Sequence, residues 1–245
     1  RIALAGLLDV GVDTSAVAQS TKPTGTAAIN VDAQGENAIT VSSGANLDAR
    51  GDSLDEENLT PRTTLLLQME VPMTAMADLI QRARKKGSCI VWNLAPMQSV
   101  DLALLKQVDC LIVNEGELNQ LHSEFHPIPK PNHCSAKDVE QKAWDIFTLT
   151  GQSVVVTLGA NGTLAVHNNT LLKVPALAIS PVDTVGAGDA FTGAFTAALD
   201  RGETFLVALR WGNVAGGLAC LETGAQSSLP TAAQISEHLT ALPRT

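Results

Sequence analysis

Residues 64–93 read TLLLQMEVPMTAMADLIQRARKKGSCIVWN, and this stretch decides the fold class. It opens on an apolar run, 64–69, of the length and composition of a buried strand. Residues 73–86 carry helical spacing, Gly87 stops them, and Lys85 and Lys86 suit the negative end of a helix dipole. A second apolar run follows at 89–93. A strand, a helix and a strand in succession make a βαβ unit, whose strands run parallel. The alternation continues outward. Residues 110–113 and 154–158 read as further buried strands, and 99–107 and 135–150 as helices. The expected fold is α/β, with a mostly parallel central sheet flanked by helices.

The two ends of the chain fit this frame. Residues 2–8 (IALAGLL) are helix-like. Between them and the first buried strand, the runs 25–31 and 37–41 flank Asp32-Ala33-Gln34-Gly35, which predicts a β-hairpin at 24–41. From the pattern alone it reads as an ordinary edge hairpin. Residues 186–222 are rich in small residues and read as helix broken near Gly202-Glu203. Gly193, Gly212, Gly216 and Gly217 suggest close backbone approach there. A short helix is expected over 231–241.

Composition narrows the function. The chain has 245 residues, 45% hydrophobic and 17% charged, which fits one α/β domain able to bury a core. A formal net charge of −9 repels phosphate backbones, so nucleic acid is not an expected partner. It does not exclude ATP, which needs only local donors and a metal ion. Cys89, Cys110, Cys134 and Cys220 contain no C-x-x-C pair and read as reduced thiols of a cytosolic protein. No apolar run reaches the length of a membrane span. His122, His126, His133 and Cys134 could ligate a metal, but their spacing matches no standard zinc pattern, and 122–134 reads as a polar surface loop.

The segment 182–195, VDTVGAGDAFTGAF, carries the chemistry. A β-like entry meets a glycine-rich turn that opens a helix. Gly186, Ala187 and Gly188 leave backbone N–H groups uncovered at the helix N-terminus, an anion cradle reinforced by the helix dipole. Asp189 places a carboxylate beside it. A plain phosphate loop gains nothing from that charge. A phosphoryl-transfer site does, because the carboxylate can accept the proton of an attacking hydroxyl. Read locally, Asp189 is equally a helix cap. Glu70 before Val71-Pro72 reads as a strand end, Glu117 as a first-turn helix acid, Asp183 as the end of a strand in a polar turn, and Trp92 and Trp211 as packing residues. A Walker-type G-x-x-x-x-G-K-[S/T] is absent from the sequence, and Gly186-Ala187-Gly188 is too late in the chain for a dinucleotide fingerprint.

DTVGAGD at 183–189 resembles the signature of the ribokinase, or PfkB-type, carbohydrate kinases. In family order, Asn114-Glu115-Gly116-Glu117 resembles the N-x-x-E motif, 157–162 (TLGANG) the T-L-G-x-x-G nucleotide loop, and 224–228 (GAQSS) the segment near the C-terminus. Residues 24–46, with QMEVP at 68–72 and NLAP at 93–96, are similar to segments of the ribokinase branch. Leu94 stands where the family usually has Pro. The resemblance covers essentially the whole chain. It implies a ribokinase-like kinase domain over 1–245, with 24–41 forming a small β lid. It implies ATP-dependent phosphorylation of D-ribose, or of another sugar or a nucleoside. A non-catalytic binding protein on the same fold is the alternative.

Site residues follow from the resemblance in the same way. Asp189 is the base and contacts both sugar and nucleotide, and the amides of Gly186, Ala187 and Gly188 form an anion hole. Glu70 contacts the sugar. Asn114, Thr157, Leu158, Gly159, Ala160, Asn161, Gly162, Gly188 and Asn213 border ATP. Glu117 holds Mg²⁺ through water. Asp183, Val185, Ala219, Glu222, Gly224 and Ser228 supply oxygen ligands to K⁺. A homodimer pairing through the lid is implied. Family members begin with a strand and a Gly-Gly sugar motif, without counterpart here, so about 80 upstream residues are expected by analogy.

Overall fold

The structure, a computed structural model, describes residues 2–31, 37–126 and 136–242. Two sheets are present among the described residues. Strands β1 (Thr26–Val31) and β2 (Asn37–Ser42) pair antiparallel as a separate hairpin, as the sequence predicts. Its expected turn, 32–35, lies outside the described residues.

The main sheet has six strands in sequential order: β3 (Thr64–Leu67), β4 (Cys89–Asn93), β5 (Cys110–Asn114), β6 (Ser153–Thr157), β7 (Thr163–His167) and β8 (Thr170–Val174). The pairings β3–β4, β4–β5 and β5–β6 are parallel; β6–β7 and β7–β8 are antiparallel. Strand β3 is an edge, and Leu66 on it is 40% exposed.

Alternation along the strands builds two hydrophobic layers. Ile90 and Trp92, Leu111 and Val113, Val154 and Val156 point to one face. There they meet helices α2 (Met73–Lys86), α3 (Leu102–Leu105), α4 (Glu115–Phe125) and α5 (Ala136–Thr150). Val91, Cys110, Ile112 and Val155 point the other way, onto α6 (Ala187–Asp200), α7 (Phe205–Ala219) and α8 (Ala232–His238). Helix α1 (Ile2–Asp9) precedes the hairpin. Helix α2 buries Met76, Ile80 and Ala83, one stripe at helical spacing. Gly87 closes it in a left-handed cap.

Several expectations change at element ends. Strand β3 stops at Leu67 because the chain bends: the Met69 N–H donates to the Ala95 carbonyl at 3.0 Å rather than to the ladder. The helix expected over 99–107 shrinks to α3. The Ser99 hydroxyl and the Val100 N–H are held by the Glu124 carboxylate, and Asp101 takes the cap position instead. The polar loop expected at 122–134 is helix as far as Phe125, and His122 is buried. Residues 127–135 lie outside the described residues. Strands β7 and β8 were not anticipated. Asn168 and Asn169, both at positive φ (48° and 59°), make a two-residue turn between them.

Among the small-residue positions, a Cβ on Gly212 would lie 2.6 Å from the Phe191 ring, on Gly216 3.1 Å from the Ala187 carbonyl oxygen, and on Gly217 2.8 Å from Leu177. Gly212 and Gly216 let α7 lie close to α6, and Gly217 lets it lie against the segment that precedes α6. Gly193 does not: nothing lies within 4 Å of its Cβ position, because it faces an open cavity. Among the described residues no helix is long and apolar enough to cross a membrane.

Candidate active site

Four parallel strands end on the same side of the sheet, and the chemistry-bearing residues collect there. In open α/β sheets ligands bind beyond the carboxyl ends of the strands. Glu70 follows β3 and is exposed. Asn114 ends β5 and pairs in register with Thr157 at the end of β6. The acid-bearing turn and the 157–162 loop are therefore adjacent, about 5 Å apart.

Asn114 and Glu117 form a reciprocal capping box on α4. The Glu117 N–H donates to Asn114 Oδ1 at 2.8 Å, and the Asn114 N–H donates to Glu117 Oε2 at 2.7 Å. The box fixes the Glu117 side chain at the carboxyl end of the sheet. Partial burial pushes its carboxyl above the ordinary value, opposed by the Asn114 amide. One carboxylate oxygen remains for a cation, usually through water for Mg²⁺.

The 157–162 loop is a tight turn. The Leu158 N–H donates to the Gly162 carbonyl at 2.8 Å, and Gly159–Asn161 form a single 3-10 turn. Thr157, Gly159, Ala160 and Gly162 line a cavity of about 370 Å³, within the range of a small-molecule site. Its other walls include Ala176–Ile179 before α6, Phe191, and Gly216 and Gly217 of α7. Leu158, Asn161 and Asn114 do not line it. Leu158 packs on the core, and Asn161 lies on the outer side of the turn. Asn213 lines the cavity, but its amide is occupied. Its Nδ2 donates to the Val174 and Pro175 carbonyls at 3.0 and 3.1 Å, and its Oδ1 accepts from the Thr163 hydroxyl. It ties the cavity wall together rather than offering a free donor.

Ala187 and Gly188 line the same cavity from the N-terminus of α6. Gly186 caps this helix in a left-handed conformation (φ 79°), which glycine adopts without steric cost. The cradle differs in one respect from the sequence expectation. The Ala187 N–H donates to the Thr184 carbonyl at 3.3 Å, a long bond closing the turn, so only the Gly186 and Gly188 amides find no acceptor among the described residues.

Asp189 is the third helical residue. It lies on the open side of the first turn, at the wall of a second cavity of about 260 Å³ that α6, α7 and the start of α8 enclose. Its neighbour Gly188 lines the first cavity, so consecutive residues of one helical turn face different cavities. The carboxylate has no hydrogen bond or ion pair among the described residues, so capping does not occupy it. The protein around it pushes its carboxyl above the ordinary value.

Beneath the cradle, Asp183 laces two loops together. Its Oδ1 accepts the Val185 N–H and its Oδ2 the Gly224 N–H, each at 3.0 Å. The Val185 and Gly224 amides hold its carboxyl below the ordinary value. The Val182 N–H donates to the Cys220 carbonyl at 2.8 Å, and the Ser228 hydroxyl donates to the Gly224 carbonyl. Asp183, Val185, Gly224 and Ser228 are thus brought together. Ala219 and Glu222 lie on the same turn, Ala219 buried at the end of α7 and Glu222 exposed. Two carboxylates, a hydroxyl and backbone carbonyls are oxygens of a kind that suits a hard cation.

The pfkB family carbohydrate kinase profile matches residues 3–232. The chain belongs to this family. Its members are phosphotransferases acting on an alcohol group. This pfkB-family chain is 32% identical over 233 residues to the ribokinase of Haemophilus influenzae, covering 94% of the chain and 74% of the relative. The structure of Thermotoga maritima ribokinase superimposes with a TM-score of 0.85 at 29% identity, over 98% of this chain and 76% of that one. Arabidopsis thaliana ribokinase complexed with ribose and ATP superimposes with a TM-score of 0.77 at 26% identity, over 90% of this chain and 70% of that one.

The apolar cavity walls of this pfkB-family chain, Ala176–Ile179 and Phe191, were missed by sequence reasoning. Apolar residues shortly after an unrecognised strand carry no chemical signal. A hairpin reading of His167-Asn168-Asn169-Thr170 would have located β8, and with it this wall.

Proposed function

We propose that the chain is an ATP-dependent kinase that transfers the γ-phosphoryl group to the terminal hydroxyl of D-ribose, giving ribose 5-phosphate. The observation that carries this reading is Asp189, an unengaged carboxylate one residue beyond the cradle, whose neighbour Gly188 lines the cavity walled by the 157–162 loop. The ribose and ATP bound by the Arabidopsis relative support the choice of substrates.

ATP lies in the larger cavity, its base against Ala176–Ile179 and the 157–162 loop and its phosphates toward α6. The sugar lies on the Asp189 side, with Glu70 reaching it from the end of β3. Asp189 takes the proton of the attacking hydroxyl. The Gly186 and Gly188 amides, with that of Ala187 if its long turn bond yields, hold the charge on the transferring group. Bound Mg²⁺ neutralises phosphate charge, and Glu117 is the residue that holds it. Asp183, Val185, Ala219, Glu222, Gly224 and Ser228 form a K⁺ site that stiffens the cradle from below. Faster turnover in K⁺ than in Na⁺, lost in Asp183→Asn, is the expected result; equal rates in the two salts would remove the K⁺ site.

The free-standing β1–β2 hairpin acts as the lid and pairs with a second copy. An isolated two-stranded hairpin is marginal in water, and Val41 on it is 57% exposed. Sedimentation of the wild type showing only monomer would discard this arrangement.

The decisive test is Asp189→Asn. Loss of a general base costs about 10²–10⁴-fold in rate. Phosphorylation of ribose is expected to fall by that factor, while binding of an ATP analogue by calorimetry is preserved. Turnover near wild type would remove Asp189 as the base. A panel of pentoses, hexoses and nucleosides tests the sugar; better turnover of another acceptor would replace ribose and leave the chemistry intact.

A further inference from the structure

A second cluster of ligating groups lies away from the cradle, where α4 packs on α5. His122 and His126 are four residues apart on α4 and its C-terminal cap, so they share one helix face. Their rings stack with centroids 4.4 Å apart and 11° between planes. Asp145 comes from α5, and its Oδ2 lies 2.9 Å from His122 Nε2. One nitrogen from each histidine and one carboxylate oxygen all fall within 4.8 Å of one another. The set is sheltered, with the His122 side chain 7% and the Asp145 side chain 22% exposed. The Gln141 side-chain amide holds the other Asp145 oxygen at 2.8 Å and so orients the carboxylate.

One atom in the cluster lacks an explanation within the fold. His126 Nδ1 is buried and has no hydrogen-bond partner among the described residues. A buried polar atom left unpaired costs about 1–3 kcal/mol, and a bound ion is one of the few things that offsets that cost.

We propose that His122, His126 and Asp145 form a binding site for a divalent transition-metal ion of the zinc class. Two imidazoles and one carboxylate suit Zn²⁺, Co²⁺ or Ni²⁺, whereas Mg²⁺ prefers oxygens alone. Zinc–nitrogen and zinc–oxygen bonds of about 2.0–2.2 Å place neighbouring tetrahedral donors roughly 3.3 Å apart. The His122–Asp145 pair already has nearly that spacing, and rotation of the His126 ring out of its stack closes the remainder. Three protein ligands leave a fourth position for water. The site is distinct from the one assigned to the nucleotide's metal, since His122 lies five residues, about 7–8 Å of helix rise, beyond Glu117. An ion here would staple α4 to α5 at the end of α4 opposite Glu117.

The test uses metal-stripped wild-type protein titrated with Co²⁺, read by its visible absorption, and with Zn²⁺, read by thermal unfolding. One equivalent of Co²⁺ is expected to bind with a tetrahedral-type spectrum, and Zn²⁺ to raise Tm. His126→Ala, at a half-buried position, and the near-isosteric Asp145→Asn should each weaken Co²⁺ binding at least tenfold and abolish the Zn²⁺ shift. Their circular dichroism and their activity with Mg²⁺ and ATP should stay at wild-type level. Glu117→Gln should retain Co²⁺ binding. The proposal is overturned if wild type binds no Co²⁺ with a Kd below about 100 μM. It is overturned equally if His126→Ala and Asp145→Asn bind as tightly as wild type, or if a thiolate charge-transfer band that survives His126→Ala places the ion on cysteine.

Discussion

Two glycines two positions apart in the cradle should respond in opposite ways to the same added methyl group. Gly186 has φ 79°, and a Cβ built on it would lie 3.0 Å from the Ala225 carbonyl oxygen and 3.1 Å from Ala225 Cα. Both are backbone atoms, so no side chain can rotate away. A left-handed residue other than glycine costs about 1–2 kcal/mol. The contact adds to this by parting the cradle from the 224–226 segment by a few tenths of an ångström. Gly186→Ala should therefore lose about 1–3 kcal/mol, a fall in Tm of roughly 3–10 °C for a chain of this size. The rate should suffer more than binding. A misplacement of about 1 Å at a reacting centre can cost roughly 10²-fold, so a smaller shift predicts a kcat loss of about tenfold or more. The KM for ATP should move less, because the adenine walls are untouched. Gly188 lacks a positive φ and has no atom within 4 Å of its Cβ position. Gly188→Ala should keep or slightly raise Tm, since alanine is the better helix former. Differential scanning calorimetry and a coupled ADP-release assay measure both quantities. If Gly186→Ala matched wild type in Tm and kcat, or Gly188→Ala proved the more destabilising, the account of the turn would be wrong.

Three further outcomes follow from the site. Burial raises the carboxyls of Asp189 and Glu117, and the base works only when ionised. The acid limb of the kcat/KM profile should therefore lie above the ordinary carboxylate range, with activity falling as pH drops through it; a limb at or below that range contradicts the assignment. Glu117→Gln keeps the capping box, since glutamine can accept the Asn114 N–H, but removes the charge. Titration of activity against Mg²⁺ should show at least a tenfold rise in the half-saturating concentration with Tm nearly unchanged, and an unaltered curve would free Glu117 of the metal role. Asn213→Ala leaves two carbonyls and the Thr163 hydroxyl without their partner in a buried wall. It should cost about 2–4 kcal/mol in denaturant unfolding, and a loss below about 0.5 kcal/mol would show that other groups satisfy them.

What could be read from the sequence divides along physical lines. The four parallel strands were legible because apolar runs such as 89–93 alternate with helical stripes such as Met76, Ile80 and Ala83. The cradle was legible because Gly186, Ala187, Gly188 and Asp189 are contiguous, so one helix terminus presents them all. Strands β7 and β8 were less visible. They are short, and their turn is Asn-Asn rather than the commoner Asn-Gly. Helix α4 was obscured by the polar character of 115–125, since only Leu118, Leu121 and His122 are buried. The His122–Asp145 contact spans 23 residues and two helices, and nothing local encodes it. The occupied amides of Ala187 and Asn213 are likewise tertiary facts, invisible to a motif.

The pairing of Asn114 with Thr157 reaches beyond catalysis. These two positions are rungs of a single ladder, although 43 residues separate them along the chain. The span between the acid and the nucleotide loop is therefore fixed by hydrogen bonds across the sheet and not by the length of polypeptide connecting them. A one-residue slip of β6 against β5 would therefore pull the two apart even with every residue of both segments in place, so the sheet register is itself part of the active-site design.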